Sequence, residues 1–87
     1  MDDITAKDVR IIRRDGYNFV ACIRGLDRPA FITGSALAVL RGDLKGDDMS
    51  VFNDRWNRIA IAVNRKHPIT PADQEIFISS DDVSLGD

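Results

Sequence analysis

The chain has 87 residues, 30% of them charged, with a formal net charge of −2, one cysteine and one histidine. That length holds one domain with one core, expected to span residues 1–87 with about 7–83 ordered. The lone cysteine excludes an internal disulfide, and one His with one Cys excludes a tetrahedral nitrogen and sulfur metal site.

No run reaches the roughly eighteen uncharged apolar residues of a membrane span, and Met1-Asp2-Asp3 is acidic where a signal peptide is basic and then apolar. The expectation is therefore a cytoplasmic protein. Charge is segregated: residues 1–8 hold one Lys and three Asp, residues 9–66 hold eleven Lys or Arg against six Asp, and residues 67–87 hold four Asp and one Glu. A basic middle and an acidic tail suit either solubility or an anionic partner. Nine of the twelve basic residues are Arg, the side chain suited to bidentate anion contacts.

Taken in order, residues 2–7 read as loosely ordered. Two apolar-rich runs, residues 9–14 and 17–24, flank Asp15-Gly16, which predicts a two-residue hairpin turn. That turn sets Ile12 against Phe19, Arg10 against Ala21, Ile11 against Val20 and Val9 against Cys22. A second turn around Gly25-Leu26-Asp27-Arg28 leads to a third strand over residues 29–32. Ala30 and Ile32 then share a face with Ile23, Ala21, Phe19, Tyr17 and Ile12, and this larger apolar face is the one expected to lie under helices. The other face carries Val9, Ile11, Val20, Cys22 and Phe31, rimmed by Lys7, Arg13 and Arg24. A single bulge would exchange the two faces beyond it.

Thr33 is placed to cap a short helix through Ala36, Leu37 and Leu40, ended by Gly42. Residues 50–66 read as one long helix, about 25 Å in length, with Phe52, Trp56, Ile59 and Val63 on a single stripe. Asp47, Asp48 and Ser50 are its cap candidates, and Pro68 stops it. Thr70-Pro71-Ala72-Asp73 starts like a helix with room for one turn, residues 75–79 form a fourth strand with Phe77 opposite Ile76 and Ile78, and the chain from Ser80 should fray. The predicted fold is α+β: an antiparallel sheet of three or four strands, in the order β-β-β-α-α-β, with a short and a long helix on one face. Its expected core is Ile12, Phe19, Ile23, Ile32, Leu37, Leu40, Phe52, Trp56, Ile59, Val63, Ile76 and Ile78.

The passage Phe31-Ile32-Thr33-Gly34-Ser35-Ala36-Leu37, the helix with Phe52, Arg55, Ile59 and Ala62, and the closing Ile76-Phe77-Ile78-Ser79-Ser80-Asp81-Asp82 resemble a small bacterial family, the domain of unknown function numbered 1488. The likeness covers most of residues 17–83. It departs at Ser35, where that family often has an acid, and at Trp56, where a base is frequent. The resemblance implies a compact α+β domain with an antiparallel sheet and brings no established activity.

Chemistry is sparse. His67 stands at a helix end before proline, where it meets the last carbonyls. Cys22 lies among apolar neighbours in mid-strand, the setting of a packed thiol. Gly34-Ser35 lacks the second glycine of a nucleophile elbow. The acids at Asp43, Asp47 and Asp48 and at Asp81 and Asp82 do not match calcium-loop spacing, and the Gly42–Asp48 loop is no phosphate loop, since its Lys precedes the Gly and its three aspartates would repel phosphate. The expectation is a non-enzymatic protein with no cofactor and no metal. It associates through the open sheet face, with a protein partner or a second copy contacting Val9, Ile11, Arg13, Val20, Arg24 and Phe31. The alternative is nucleic acid, held by that Arg-lined face or by Arg55, Arg58 and Arg65 on the long helix. The acidic balance and the single aromatic on the face weigh against it.

Overall fold

The computed structural model describes residues 4–11 and 16–84. Strands β1 (Ile4–Ile11), β2 (Gly16–Ile23), β3 (Leu26–Thr33) and β4 (Ile76–Ile78) form one sheet in the order β1-β2-β3-β4. Helices α1 (Gly34–Arg41), α2 (Asp48–Asp54) and α3 (Trp56–Lys66) run between β3 and β4, a 3-10 turn covers His67–Ile69, and α4 (Ser80–Ser84) comes after β4. The α+β class holds, but the sheet is mixed: β1 to β3 are antiparallel and β4 lies parallel to β3. The long helical connection carries the chain back to the end of the sheet where β3 began, so the next strand enters in β3's direction.

The β2–β3 hairpin closes on Arg24 and Gly25, with φ of 48° and 88°, and pairs Ile23 with Leu26. Two positive φ values are the signature of the turn whose twist matches antiparallel strands. The third strand therefore begins at Leu26, earlier than expected, with the expected parity: Ala30 faces Phe19 and Ile32 faces Tyr17.

The β1–β2 pair differs from expectation. Ile11 pairs with Tyr17 where Val20 was expected, and Gly16, expected in the turn, belongs to β2. The expected core residue Ile12 and the turn residue Asp15 lie outside the described residues. Residues 4–7, expected to be loose, pair with β2 from Ile4 opposite Ile23 to Lys7 opposite Val20. Between Lys7 and Arg10 the register slips, with Asp8 at φ 55°. One extra residue reverses the alternation beyond it.

Helices α1 to α3 cover the face bearing Phe19, Ala21, Ile23, Ala30 and Ile32, which packs with Leu37, Leu40, Val51, Phe52, Ile59, Val63, Ile76 and Ile78. Of the expected core, Trp56 alone among the described residues is half-buried. It sits at the margin with its ring 6.0 Å from Phe19 and 5.5 Å from Phe52, and its indole N–H donates to the Ile4 carbonyl at 3.0 Å. That bond ties β1 to α3.

The predicted long helix is two helices. Asp47 caps α2 by accepting from the Ser50 N–H, and Thr33 caps α1 by accepting from Ala36. At Arg55 the backbone leaves helical geometry (φ −106°, ψ 18°), and its Nε donates to the Leu40 carbonyl at the end of α1, 3.0 Å away. A guanidinium on those terminal carbonyls satisfies an acceptor the helix leaves open.

Arg28 lies buried beneath the α3–β4 connection, donating to the carbonyls of His67, Thr70, Pro71 and Gln74 at 3.1–3.5 Å. It ties down an irregular segment, joining the Thr70 and Gln74 N–H groups on the His67 and Pro71 carbonyls and donating to the carbonyls of Thr70 and Gln74 as well. The segment beyond Ser79, expected to fray, is α4 instead. The Asp82 carboxylate accepts from the Ser79 N–H at 2.8 Å and from its hydroxyl at 3.0 Å, and Val83 is 2% exposed in the core.

Candidate interaction face

Alternation in β2 and β3 puts Asn18, Val20, Cys22, Asp27, Pro29 and Phe31 on the side of the sheet away from the helices. Register pairs Lys7 with Val20, and Phe31 with Phe77. Val20 and Cys22 are half-buried, whereas Phe31 is only 4% exposed. Its ring is stacked on Phe77, with centroids 5.6 Å apart and planes 19° from parallel, and it also lies over Gly16. Phe77, 45% exposed, is therefore the aromatic this face presents.

Charge on the face is mixed. Lys7 and Asp27 form an ion pair at 2.7 Å, exposed on both sides. Hydrogen bonding to Asp27 and its charge raise the Lys7 pKa above the ordinary value, and hydrogen bonds from Lys7 and the Cys22 thiol lower that of Asp27. Asn18 donates to Glu75 at 3.1 Å and to the Ala30 carbonyl at 3.3 Å. Beside it a shallow depression of about 300 Å³ is lined by Asp8, Arg10, Asn18, Phe19, Val20 and Pro29. Arg10 has no hydrogen-bond or ion-pair partner among the described residues.

The residues expected at the partner surface divide. Val20 is where the alternation put it, and Arg24 is exposed in the β2–β3 turn. Val9 is a correction: the slip at Asp8 turns it to the helix side, where it packs against the core. Ile11 pairs with Tyr17, which places its backbone in the register of that same helix-covered side. Phe31 keeps the predicted face but is covered by Phe77, so it supports the surface and does not form it. Arg13 lies outside the described residues. Phe77, Arg10 and Pro29 were not expected at the site; the alternation of Ile76, Phe77 and Ile78 carried a signal for the first, and only the bulge brings Arg10 onto this face.

Other chemistry gains little. No group of three or more His, Cys, Asp or Glu among the described residues is arranged to hold a metal ion. His67 lies in the 3-10 turn, its carbonyl engaged by Arg28 and by the Thr70 N–H. The row of arginines expected on the long helix is partly spent inside the molecule, since Arg55 donates to Leu40 and Arg58 to the Val83 carbonyl at 2.8 Å. No helix among the described residues is long and apolar enough to cross a membrane. Compared with family models, curated proteins and solved structures, the chain matches none.

Proposed function

We propose that this protein is a cytoplasmic, non-enzymatic interaction module that binds a protein partner through the helix-free face of its sheet. The observation that carries the reading is Phe77, exposed above a buried Phe31 on a four-stranded sheet whose helices α1 to α3 cover the other side. A face that carries an exposed aromatic on β4, half-buried Val20 and Cys22 on β2, and charges of both signs has the composition of an interface with apolar and polar parts. Charge also favours protein over nucleic acid. Lys7 is already paired with Asp27, and Arg10 shares its surroundings with Asp8, close to Glu75. A polyanion would meet those acids as well as the bases. The resemblance to the family numbered 1488 is compatible with this reading and adds no activity to it.

The test is photochemical crosslinking in cells that produce the protein, with a photoreactive phenylalanine analogue at Val20 in one chain and at Arg65, on α3, in another. Position 20 should yield discrete protein adducts that position 65 does not. Absence of adducts from position 20, or adducts there that nucleases remove, would overturn the proposal, the second outcome in favour of nucleic acid.

A further inference from the structure

The helix-free face carries both a projection and a recess. The projection is Phe77 on β4, 45% exposed and stacked on Phe31. The recess is the depression over β1, β2 and β3, with Phe19, Val20 and Pro29 as apolar residues at its lining and Asp8, Arg10 and Asn18 as polar ones. The two features sit at different lateral positions on one surface, because β4 lies beyond β3 in the sheet order. Two such faces stacked about a twofold axis lying between the sheets place each projection over the other's recess, which is the condition for an isologous interface.

We propose that the occupant of this face is a second copy of the chain, with Phe77 of each protomer seated in the recess of the other. The inference rests on the interaction-module reading and names its partner. Size fits: a cavity of about 150 Å³ already holds a benzene ring, and the recess is about 300 Å³. Chemistry fits as well. The Arg10 guanidinium, without a partner among the described residues, stands where it can lie over the face of an incoming ring, an attraction that strengthens as the ring displaces water. The face carries both signs of charge, so a second copy does not meet it with like charge throughout. Its extent is modest, which suits a weak association. Four strands about 4.8 Å apart and up to about eight residues long span on the order of 400–500 Å² in projection, below the roughly 800 Å² per partner of a standard interface. The dimer is therefore a dissociating one, to be followed from about 1 μM to 1 mM.

Light scattering and sedimentation across that range test it with two variants that break opposite halves of the contact. Phe77→Ser removes the projection and leaves the recess; Val20→Trp fills the recess and leaves the projection. The parent should dimerise with rising concentration, and each variant alone should weaken dimerisation about tenfold or more, as loss of a central aromatic anchor does. The mixture should associate better than either variant alone, because the Val20→Trp chain still offers its Phe77 to the intact recess of the Phe77→Ser chain. Circular dichroism melts of both variants check that each remains folded, and Arg10→Glu, on the recess rim, weakens association through a substitution that leaves the apolar packing in place. A parent that stays monomeric to 1 mM overturns this inference while leaving crosslinks to other proteins from Val20 free to support the interaction module. A parent dimer unaffected by these variants, or variants whose mixture gains nothing, overturns the projection-in-recess contact.

Discussion

Gly16 is held to glycine by its neighbours and Gly25 by its backbone. A Cβ on Gly16 would overlap Phe31 Cζ and stand 2.5 Å from the Ile32 carbonyl oxygen, whereas one on Gly25 would meet nothing within 4 Å and would only have to accept φ of 88°. Strand backbone and a ring wedged between Gly16 and Phe77 have little room to yield, so Gly16→Ala should cost about 2–3 kcal/mol by overpacking. Gly25→Ala should cost about 1 kcal/mol, the usual penalty of a left-handed alanine. Urea denaturation of the two variants checks the order, and a smaller loss at Gly16 would mean that Phe31 is free to move. The Asp15-Gly16 pair is thus a sequence signal with the right residue and a different cause. It suggests a turn through positive φ, while Gly16 instead makes room in the strand for an aromatic ring two residues from its cross-strand partner Thr33.

The helix predicted as one piece departed from expectation at a side chain that reaches a distant backbone group, which periodicity does not register. The stripe of Phe52, Ile59 and Val63 is legible and buried, but the break at Arg55 comes from a guanidinium drawn to the Leu40 carbonyl. The caps by Thr33 and Asp47 were legible because they are local. So was the box that starts α4, where Ser79 and Asp82 stand three residues apart, but the acidic run Asp81-Asp82 reads equally well as a solvated tail. The Asp82 pKa supplies a test of that box. Burial raises it, yet hydrogen bonds from the Ser79 N–H and hydroxyl and the charge of Lys66, 3.4 Å away, outweigh burial and leave it below the ordinary carboxylate value. A carboxylate with a depressed folded pKa stabilises the fold above its unfolded value of about 3.9, and that contribution disappears as pH falls through the folded value. Asp82→Ala should therefore cost about 1 kcal/mol near neutral pH, the typical worth of a cap. The gap between parent and variant in denaturant melts should narrow steadily below about pH 4, and a gap independent of pH would show that the carboxylate's charge does not contribute.

At the scale of the whole molecule, the part of the candidate site that was legible is the parity of β2 and β3, which put Val20 and Phe31 on the helix-free side. The remainder depended on one inserted residue at Asp8, which moved Val9 to the core side and brought Arg10 to the surface, and on where the last strand joined. β4 is three residues long and has β3 as its strand neighbour, so its place depends on the C-terminal helix beyond it. Helix α4 sets Val83 in the core, with the Val83 carbonyl accepting from Arg58 and Asp82 beside Lys66. A chain ending at Ser79 loses the burial of Val83, worth about 1.5–3 kcal/mol, together with the Asp82 box. In a domain of this size each 1 kcal/mol moves Tm by about 4–8 °C, so the truncated chain should melt about 10–30 °C below the parent. Hydrogen exchange at Ile76, Phe77 and Ile78 should quicken more than at the β2–β3 pairs, because the parallel strand loses its anchor first. Association should weaken with it, since Phe77 is carried by that strand. A truncated chain melting within about 2 °C of the parent would mean that the residues beyond Ser79 contribute as little as their acidic composition suggests, and that β3, α3 and the Arg28 clamp hold β4 unaided.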